Sequence, residues 1–474
     1  MASATLTTDL QQLFERQKAH ALQQAQTTAD ERIERLRRIE QYLNDPTHEA
    51  DLIEALRKDF RKPAAETLIS ETGVVFQHLK FARQHLRRWM RPERVATPLV
   101  MIGTRNYIHF EPKGVCLIMA PWNYPFNLSI LPLIYAIAAG NTVVLKPSEI
   151  SDHTSAYIRQ MISTLFPPEE VAVVEGDVAV ATALLDLPFN HIFFTGSPAV
   201  GKIVMKAASR HLSSVTLELG GKSPAIIDPS VNLKKAARQT LWGKCLNAGQ
   251  TCIAPDYLIV HRSLKEDFIE AYRVAVRDFY LTGRETVADS PDFARIISDK
   301  HFQRIKGLLD DAVGKGARVE IGGETDAATR YIAPTLLSEV TEEMEIMQEE
   351  IFGPVMPLLT YDTAEDIIEL INRRPKPLTL YIQSKRRNFI RRIMQNTSAG
   401  GTVINDYLLG YGNPNLPFGG VNNSGIGKSL GAHGFREFSN ERGVNHRIFG
   451  EVSFLFPPYG PRLNTLVNFL FKRF

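Results

Sequence analysis

Between residues 114 and 217 short apolar runs alternate with longer segments of helical period, and few folds accept that pattern. Val115–Met119, Thr142–Leu145, Val171–Val174, His191–Phe194 and Ser214–Leu217 read as strands. Asn127–Ala139, Asp152–Leu165, Asp177–Leu185 and Ala199–Ser209 read as the helices between them. Five strands alternating with four helices predict an α/β fold with a parallel, doubly wound sheet. Right-handed crossovers then leave ligands at the carboxyl ends of the strands. A second α/β pattern starts near Lys222, with strands at Ser223–Ile227, Tyr257–His261 and Val403–Ile404 and helices at Leu233–Leu246 and Leu264–Phe279. The first hundred residues read as helices, with Leu52, Ile53, Leu56 and Phe60 at helical spacing. With 474 residues, at least two packed units are expected.

Several functional classes are excluded early. Hydrophobic residues make up 44% and charged residues 23%, which rules out a disordered chain. The net charge of +3 is too small to imply a polyanionic partner. The run Arg83 to Arg94, with Arg87, Arg88, Arg91 and Trp89, could bind nucleic acid, but basic residues also favour a helix C-terminus and Pro92 stops this helix. The second reading is preferred, and no nucleic-acid partner is expected. The uncharged stretch between Lys113 and Lys146 is broken by Pro121, Pro125, Pro132 and Gly140, so it reads as buried core rather than a membrane span. Residues 1–45 lack the apolar region of a secretory signal, and three cysteines form neither a disulfide framework nor a four-ligand zinc set. The expectation is a cytoplasmic protein without a metal.

Of the cysteines, Cys116 lies in an apolar strand and Cys245 on a helix, both as core. Cys252, in GQTCIAPDY, lies on a loop between helix and strand, where a thiol can meet a ligand or be one more inert cysteine. A nucleophile needs a base and an oxyanion donor. Glu218 in ELGGKSP follows the fifth strand as a candidate base, or else as a solvated loop carboxylate. Asn123 in PWNYPF, bracketed by Pro121 and Pro125, is a rigid amide after a strand; it can donate to an oxyanion or merely close a turn. FFTGSPAVG reads strand, turn, helix, and offers backbone N–H groups to a phosphate. Lys146 and Glu149 in KPSE end the second strand, as partners for a ribose or as an exposed turn. The acidic segment Thr341 to Glu350 reads as a solvated, N-capped helix, with Glu350 set apart by the sharp turn of IFGP after it.

Leu463, Leu466, Val467, Leu470 and Phe474, flanked by Arg462, Lys472 and Arg473, form a short basic amphipathic helix. Such a helix docks on protein or lies on a membrane surface.

PWNYPF, KPSE, FTGSPAVG, ELGGKSP, GQTC, EEIFGP and LPFGGVNNSGIG occur in that order, and together they resemble the signature series of the aldehyde dehydrogenase superfamily from about residue 30 to about residue 440. Tyr124, WGKCLNAGQTCIAPDY and the PPYG tail resemble its class 3 branch, which includes fatty and coniferyl aldehyde dehydrogenases. The resemblance implies a five-stranded Rossmann-like cofactor domain (1–94 and 112–217), an α/β catalytic domain (218–434) and a small oligomerisation β-extension (95–111 and 435–474). Cys252 would be the nucleophile, Asn123 the oxyanion holder and Glu218 the base that activates the hydrolytic water. Lys146 and Glu149 would hold the adenosine ribose, Gly196, Ser197 and Gly201 the pyrophosphate turn, and Glu350 and Phe352 the nicotinamide ribose. The cofactor implied is NAD, since a carboxylate at Glu149 repels a 2′-phosphate, although class 3 members often accept NADP.

Tyr124 and Trp242 would line a tunnel for an apolar or aromatic aldehyde. A homodimer is implied, in which Val95–Phe110 and Gly443–Phe454 extend a neighbour's sheet. Two departures bear on substrate choice: Gly410 stands where class 3 commonly has His, and Asn422 where Gly is usual. Both are expected near the tunnel mouth. The competing activities are CoA-dependent acylation, against which Glu218 speaks, and a cofactor-independent cysteine esterase, for which no Cys/His pairing can be placed.

Overall fold

The computed structural model describes residues 2–451, 453 and 456–472. Its first sheet contains the five expected strands: β1 (Val115–Met119), β2 (Thr142–Lys146), β3 (Val171–Val173), β4 (His191–Gly196) and β5 (Ser214–Leu219). They are parallel, in the order β3-β2-β1-β4-β5. The order reverses between β1 and β4, so the crevice of this sheet opens at their carboxyl ends. β1 and β2 are buried along their whole length, as strands covered by helices on both faces must be. The helix Asn127–Ala139 is buried nearly all round and ends at Gly140 in the left-handed conformation. A sixth strand was not expected: Gly425–Ile426 pairs antiparallel with β5, Gly425 opposite Glu218. Two residues in a Gly/Asn-rich loop carry no strand pattern of their own.

The second sheet has seven strands: β6 (Pro224–Ile227), β7 (Tyr257–His261), β8 (Arg318–Ile321), β9 (Thr335–Ser338), β10 (Val355–Tyr361), β11 (Thr379–Gln383) and β12 (Gly401–Ile404). Their order is β8-β9-β10-β7-β6-β11-β12, with only β8 antiparallel to its neighbour. The periodicity had indicated only β6, β7 and β12. An extension forms a third sheet, in which Thr104–Pro112 pairs with Ser439–Arg447 over its whole length and with Glu93–Arg94 on the other side. The expected extension strand at Gly443–Phe454 thus starts earlier and ends at Arg447, and Val452, Phe454 and Leu455 lie outside the described residues.

Helices Ala2–Gln24, Ala29–Leu43, Pro46–Phe60 and Gly73–Trp89 build the N-terminal region. Thr28 and Asp45 cap the second and third. A single α-turn, Ala64–Thr67, and a π-turn, Leu68–Thr72, lead into the fourth. The acidic segment departs from expectation. Only Glu345–Gln348 is helical, without a side-chain cap, because Ile346 and Met347 turn inward. The tail helix is present at Pro461–Lys472, with Leu463 and Val467 half-buried. The side chains of Arg462, Leu466, Leu470 and Lys472, and all of Arg473 and Phe474, lie outside the described residues. No described helix is long and apolar enough to cross a membrane.

Candidate active site

Cys252 sits in the turn between the helix Leu233–Cys245 and β7, half-buried on the wall of a cavity of about 680 Å³. Tyr124, Glu218, Trp242, Thr251 and Tyr411 line the same cavity. Burial, then the nearby Glu350 and Glu218, pushes the Cys252 thiol up to about 12. Cys116 and Cys245 are fully buried and absent from this wall.

The turn before Cys252 is strained and heavily pinned. Asn247 and Ala248 both have positive φ, 56° and 51°, a conformation that costs about 1–2 kcal/mol per non-glycine residue. Asn247 donates its backbone N–H to Glu66 Oε2 (2.8 Å) and its side-chain amide to the carbonyls of Asn123 (2.8 Å) and Gln250 (3.1 Å). The Gln250 amide donates to the carbonyls of Asn247 and Arg295 and accepts from the Ile297 N–H. Asn123, itself buried, donates Nδ2 to the Gln250 carbonyl at 3.0 Å. That bond uses one of its two amide hydrogens and ties the strand end after β1 to the thiol-bearing turn. Sequence reading missed Asn247 and Gln250. An asparagine in NAGQ, suited to positive φ, was the available signal.

Glu218 is not on a loop after the fifth strand. It is within β5, 5% exposed, and the solvated reading is overturned by the edge strand Gly425–Ile426 that covers it. Oε1 accepts from Ser429 Oγ at 2.7 Å, and Oε2 is buried without a partner among the described residues. Burial raises its carboxyl to about 8, against the Ser429 hydrogen bond and the nearby Lys428, which favour the charged form.

A second group of candidates surrounds the crevice. Lys146 is buried at the end of β2 and donates to Glu149 Oε2 at 3.2 Å, with Glu149 exposed. Ser197 caps the helix Pro198–Ala208, whose first N–H groups open beyond β4 and Gly196. Gly201 lies inside that helix, where a Cβ would meet Leu219 Cδ2 at 2.7 Å; its absent side chain lets the helix seat against β5. Glu350, half-buried, packs so closely on Gly220 that a Cβ there would stand 2.0 Å from Oε2. Burial and the neighbouring Asp256 raise its carboxyl to about 8. Arg304 donates to the carbonyls of Glu350 and Ile351, and Asp256 accepts from the Ile351 N–H, so the segment is held at several points. Phe352 has φ of +50°, and its ring stands edge-on to Trp122 at 5.3 Å. These groups suit a dinucleotide: a carboxylate–ammonium pair for a ribose diol, a helix start for a pyrophosphate and a second carboxylate for the other ribose.

Of the two sequence departures, Gly410 lies in the expected segment, between Leu409 and Tyr411 on the cavity wall, whereas Asn422 is not on that wall. A Cβ on Gly410 would point at Val403 Cγ2 (3.2 Å), and it is Leu408, Leu409 and Tyr411 that face the cavity. Asn422 adopts φ of +55°, a turn position where Gly is ordinary and Asn tolerated, and it accepts from Lys376 Nζ outside the cavity.

The model of the "Aldehyde dehydrogenase family" matches residues 2–444. A 4,4'-diaponeurosporen-aldehyde dehydrogenase of Staphylococcus aureus is 45% identical over 396 residues, 84% of this chain and 85% of that protein. A dimeric, NADP-preferring aldehyde dehydrogenase of Rattus norvegicus is 42% identical over 411 residues, 87% of this chain and 88% of that one. A solved structure, the substrate-bound state of Staphylococcus aureus AldH, is similar with a TM-score of 0.92 at 41% identity, covering 97% of this chain and 99% of its own.

Proposed function

Because the chain belongs to the aldehyde dehydrogenase family and oxidises aldehydes to carboxylic acids with NAD(P), we propose that Cys252, Glu218 and Asn123 carry the chemistry at the cavity. Cys252 passes its thiol proton to Glu218, which releases it before hydrolysis, and attacks the aldehyde carbon to form a thiohemiacetal. The free amide hydrogen of Asn123, together with the backbone N–H of Cys252, holds the oxygen on which charge develops. A nicotinamide, its ribose held by Glu350 and Phe352, would supply the hydride acceptor that leaves a thioester on Cys252. The thioester left on Cys252 is hydrolysed by a water whose proton passes to Glu218. Splitting the oxidation this way turns a poor hydride donor, the free aldehyde, into a good one.

Lys146 and Glu149 would hold the adenosine ribose, with Glu149 biasing the choice towards NAD, and Glu350 with Phe352 would hold the other ribose. Gly196 and Ser197 would face the pyrophosphate, with Gly201 acting through helix seating. Residues 1–94 and 112–217 would form the cofactor unit, 218–434 the catalytic unit and the remainder the oligomerisation extension and tail. Tyr124 and Trp242, among walls that include Leu128, Leu131 and Phe81, favour an apolar or aromatic aldehyde. Ser439–Arg447 is the outer strand of its sheet, which supports a homodimer formed by strand addition. The basic amphipathic tail supports peripheral contact with a membrane surface from a cytoplasmic location.

The observation that carries this reading is the convergence of Cys252 and Glu218 on one cavity, with Asn123 bonded to the turn that bears the thiol. Purified protein is given NAD or NADP and aldehydes from propanal to dodecanal, with benzaldehyde and coniferyl aldehyde, without CoA. Absorbance of the reduced cofactor should rise, and Cys252→Ala should abolish it. A Cys252→Ala protein that still turned over would end the assignment, and turnover only with CoA would replace hydrolysis by acyl transfer.

A further inference from the structure

Lys62 belongs to none of the motifs that point to the active site, yet it is among the largest fully buried side chains of the molecule. It follows Arg61, which turns the chain at the end of the helix Pro46–Phe60 with φ of 52°. Its ammonium pairs with Glu71 Oε1 at 2.7 Å, both side chains being 0% exposed. The other oxygen of Glu71 accepts the Asn127 N–H at 2.8 Å. Glu71 lies on the π-turn Leu68–Thr72, an irregularity of the kind found at functional sites. A buried ion pair is weak evidence for stability, because desolvation takes back most of the attraction. What it does achieve here is to place a full positive charge 4.0 Å from the centre of the Tyr124 ring.

Tyr124 lines the cavity, and its hydroxyl meets Thr251 Oγ1 at 2.7 Å, either oxygen being able to donate. Thr251 also faces the cavity and immediately precedes Cys252. A cation on the ring face draws electron density from the phenol and makes its O–H a better donor and its oxygen a poorer acceptor. Burial keeps the phenol protonated, so the donor hydrogen is always present.

We infer that Lys62 is a positioning residue for the reaction: by sitting on the Tyr124 ring it directs the phenol to donate to Thr251, which leaves the Thr251 hydrogen to donate into the cavity beside Cys252. A hydroxyl whose hydrogen is turned into the cavity favours negative charge on the wall it shares with Cys252. The inference rests on the reading of Cys252 as the nucleophile, but its consequence for the thiol can be read without turnover.

The test measures two rates on the full-length protein: alkylation of Cys252 by iodoacetamide, followed by mass at that residue, and kcat/KM with the best aldehyde of the panel. Lys62→Met should slow both by about tenfold, and Lys62→Arg, whose guanidinium can occupy the same ring face, should restore most of the loss. In a Tyr124→Phe background, where the donor oxygen is gone, Lys62→Met should have no further effect. Effects of Lys62→Met and Tyr124→Phe that multiply, a Lys62→Arg protein as slow as Lys62→Met, or unchanged rates in Lys62→Met would each overturn the inference. Removing Lys62 alone strands the Glu71 carboxylate, so Lys62→Met with Glu71→Gln provides the same comparison in a chain without that buried charge. Alkylation at Cys252 reports on Lys62 whether or not Cys252 is the nucleophile, whereas turnover of Cys252→Ala reports on the nucleophile alone.

Discussion

Ser429 Oγ stands 2.7 Å from Glu218 Oε1, across 211 residues of sequence, and donates to a carboxylate whose second oxygen is buried without a partner among the described residues. The pair sets when the carboxylate can act as a base. Glu218 holds its proton until about pH 8 because burial penalises the charged form, so thioester hydrolysis should rise with pH through that value. Ser429 favours the charged form, and Ser429→Ala should move the rise to higher pH by about one unit. A pH profile of kcat checks both, and Glu218→Gln should remove the rise altogether. The same ionisation acts on stability. The folded carboxyl titrates above its unfolded value, so the native state binds more protons between roughly pH 4.5 and 8 and loses stability as pH rises through that window. Melting temperature against pH should lose this slope in Glu218→Gln.

Cofactor choice should depend on one exposed carboxylate. Glu149 pairs with Lys146 at the end of β2, and its charge would repel the 2′-phosphate of a ribose held there. Glu149→Gln should raise the ratio of NADP to NAD kcat/KM by about tenfold, an effect that shrinks in high salt because the group is exposed.

Close approach at Gly220 makes a separate prediction. Gly220→Ala drives a methyl group into the Glu350 carboxylate. The backbone that carries Glu350 is held by Arg304 and Asp256, so it is the carboxylate itself that must swing aside. Moving that side chain off its present rotamer should cost about 1 kcal/mol of stability. The cofactor KM should rise more than the aldehyde KM, as steady-state kinetics with each substrate varied will show.

Strand addition through the extension should make the protein a dimer in solution. Sedimentation velocity should give twice the monomer mass, and proline at Val444, inside the strand Ser439–Arg447, should shift the distribution to monomer.

The first sheet was readable because its strands are continuous apolar runs separated by segments of helical length, as at Val115–Met119 and Asn127–Ala139. β8 to β11 were not, since runs of four to seven residues, one interrupted by Pro357, look alike in strand, loop and buried helix. The same divide runs through the site. Cys252, Glu218 and Asn123 are visible in their motifs. Ser429, Gln250, Glu71 and Lys62 are not, because each matters through a partner that only folding supplies. Glu218 shows this most plainly. Its burial depends on Gly425 and Ser429, far along the chain, and nothing beside it in ELGGKSP indicates that the carboxyl will be raised. Asn422 shows the opposite case, a departure in a loop near the cavity that does not line it, whereas Gly410 sits between two lining residues.

The edge strand Gly425–Ile426 also bears on the protein's synthesis. A nascent chain exposes Cys252 and Glu218 long before the segment that covers Glu218 has left the ribosome. Until then Glu218 lacks the strand that pairs with its own and the hydroxyl that bonds it, and the cavity lacks the wall that Ser429 and Leu430 supply. The carboxyl thus reaches its buried setting only when the chain is nearly complete, and chains truncated before Gly425 should lack both the edge strand over Glu218 and its Ser429 partner.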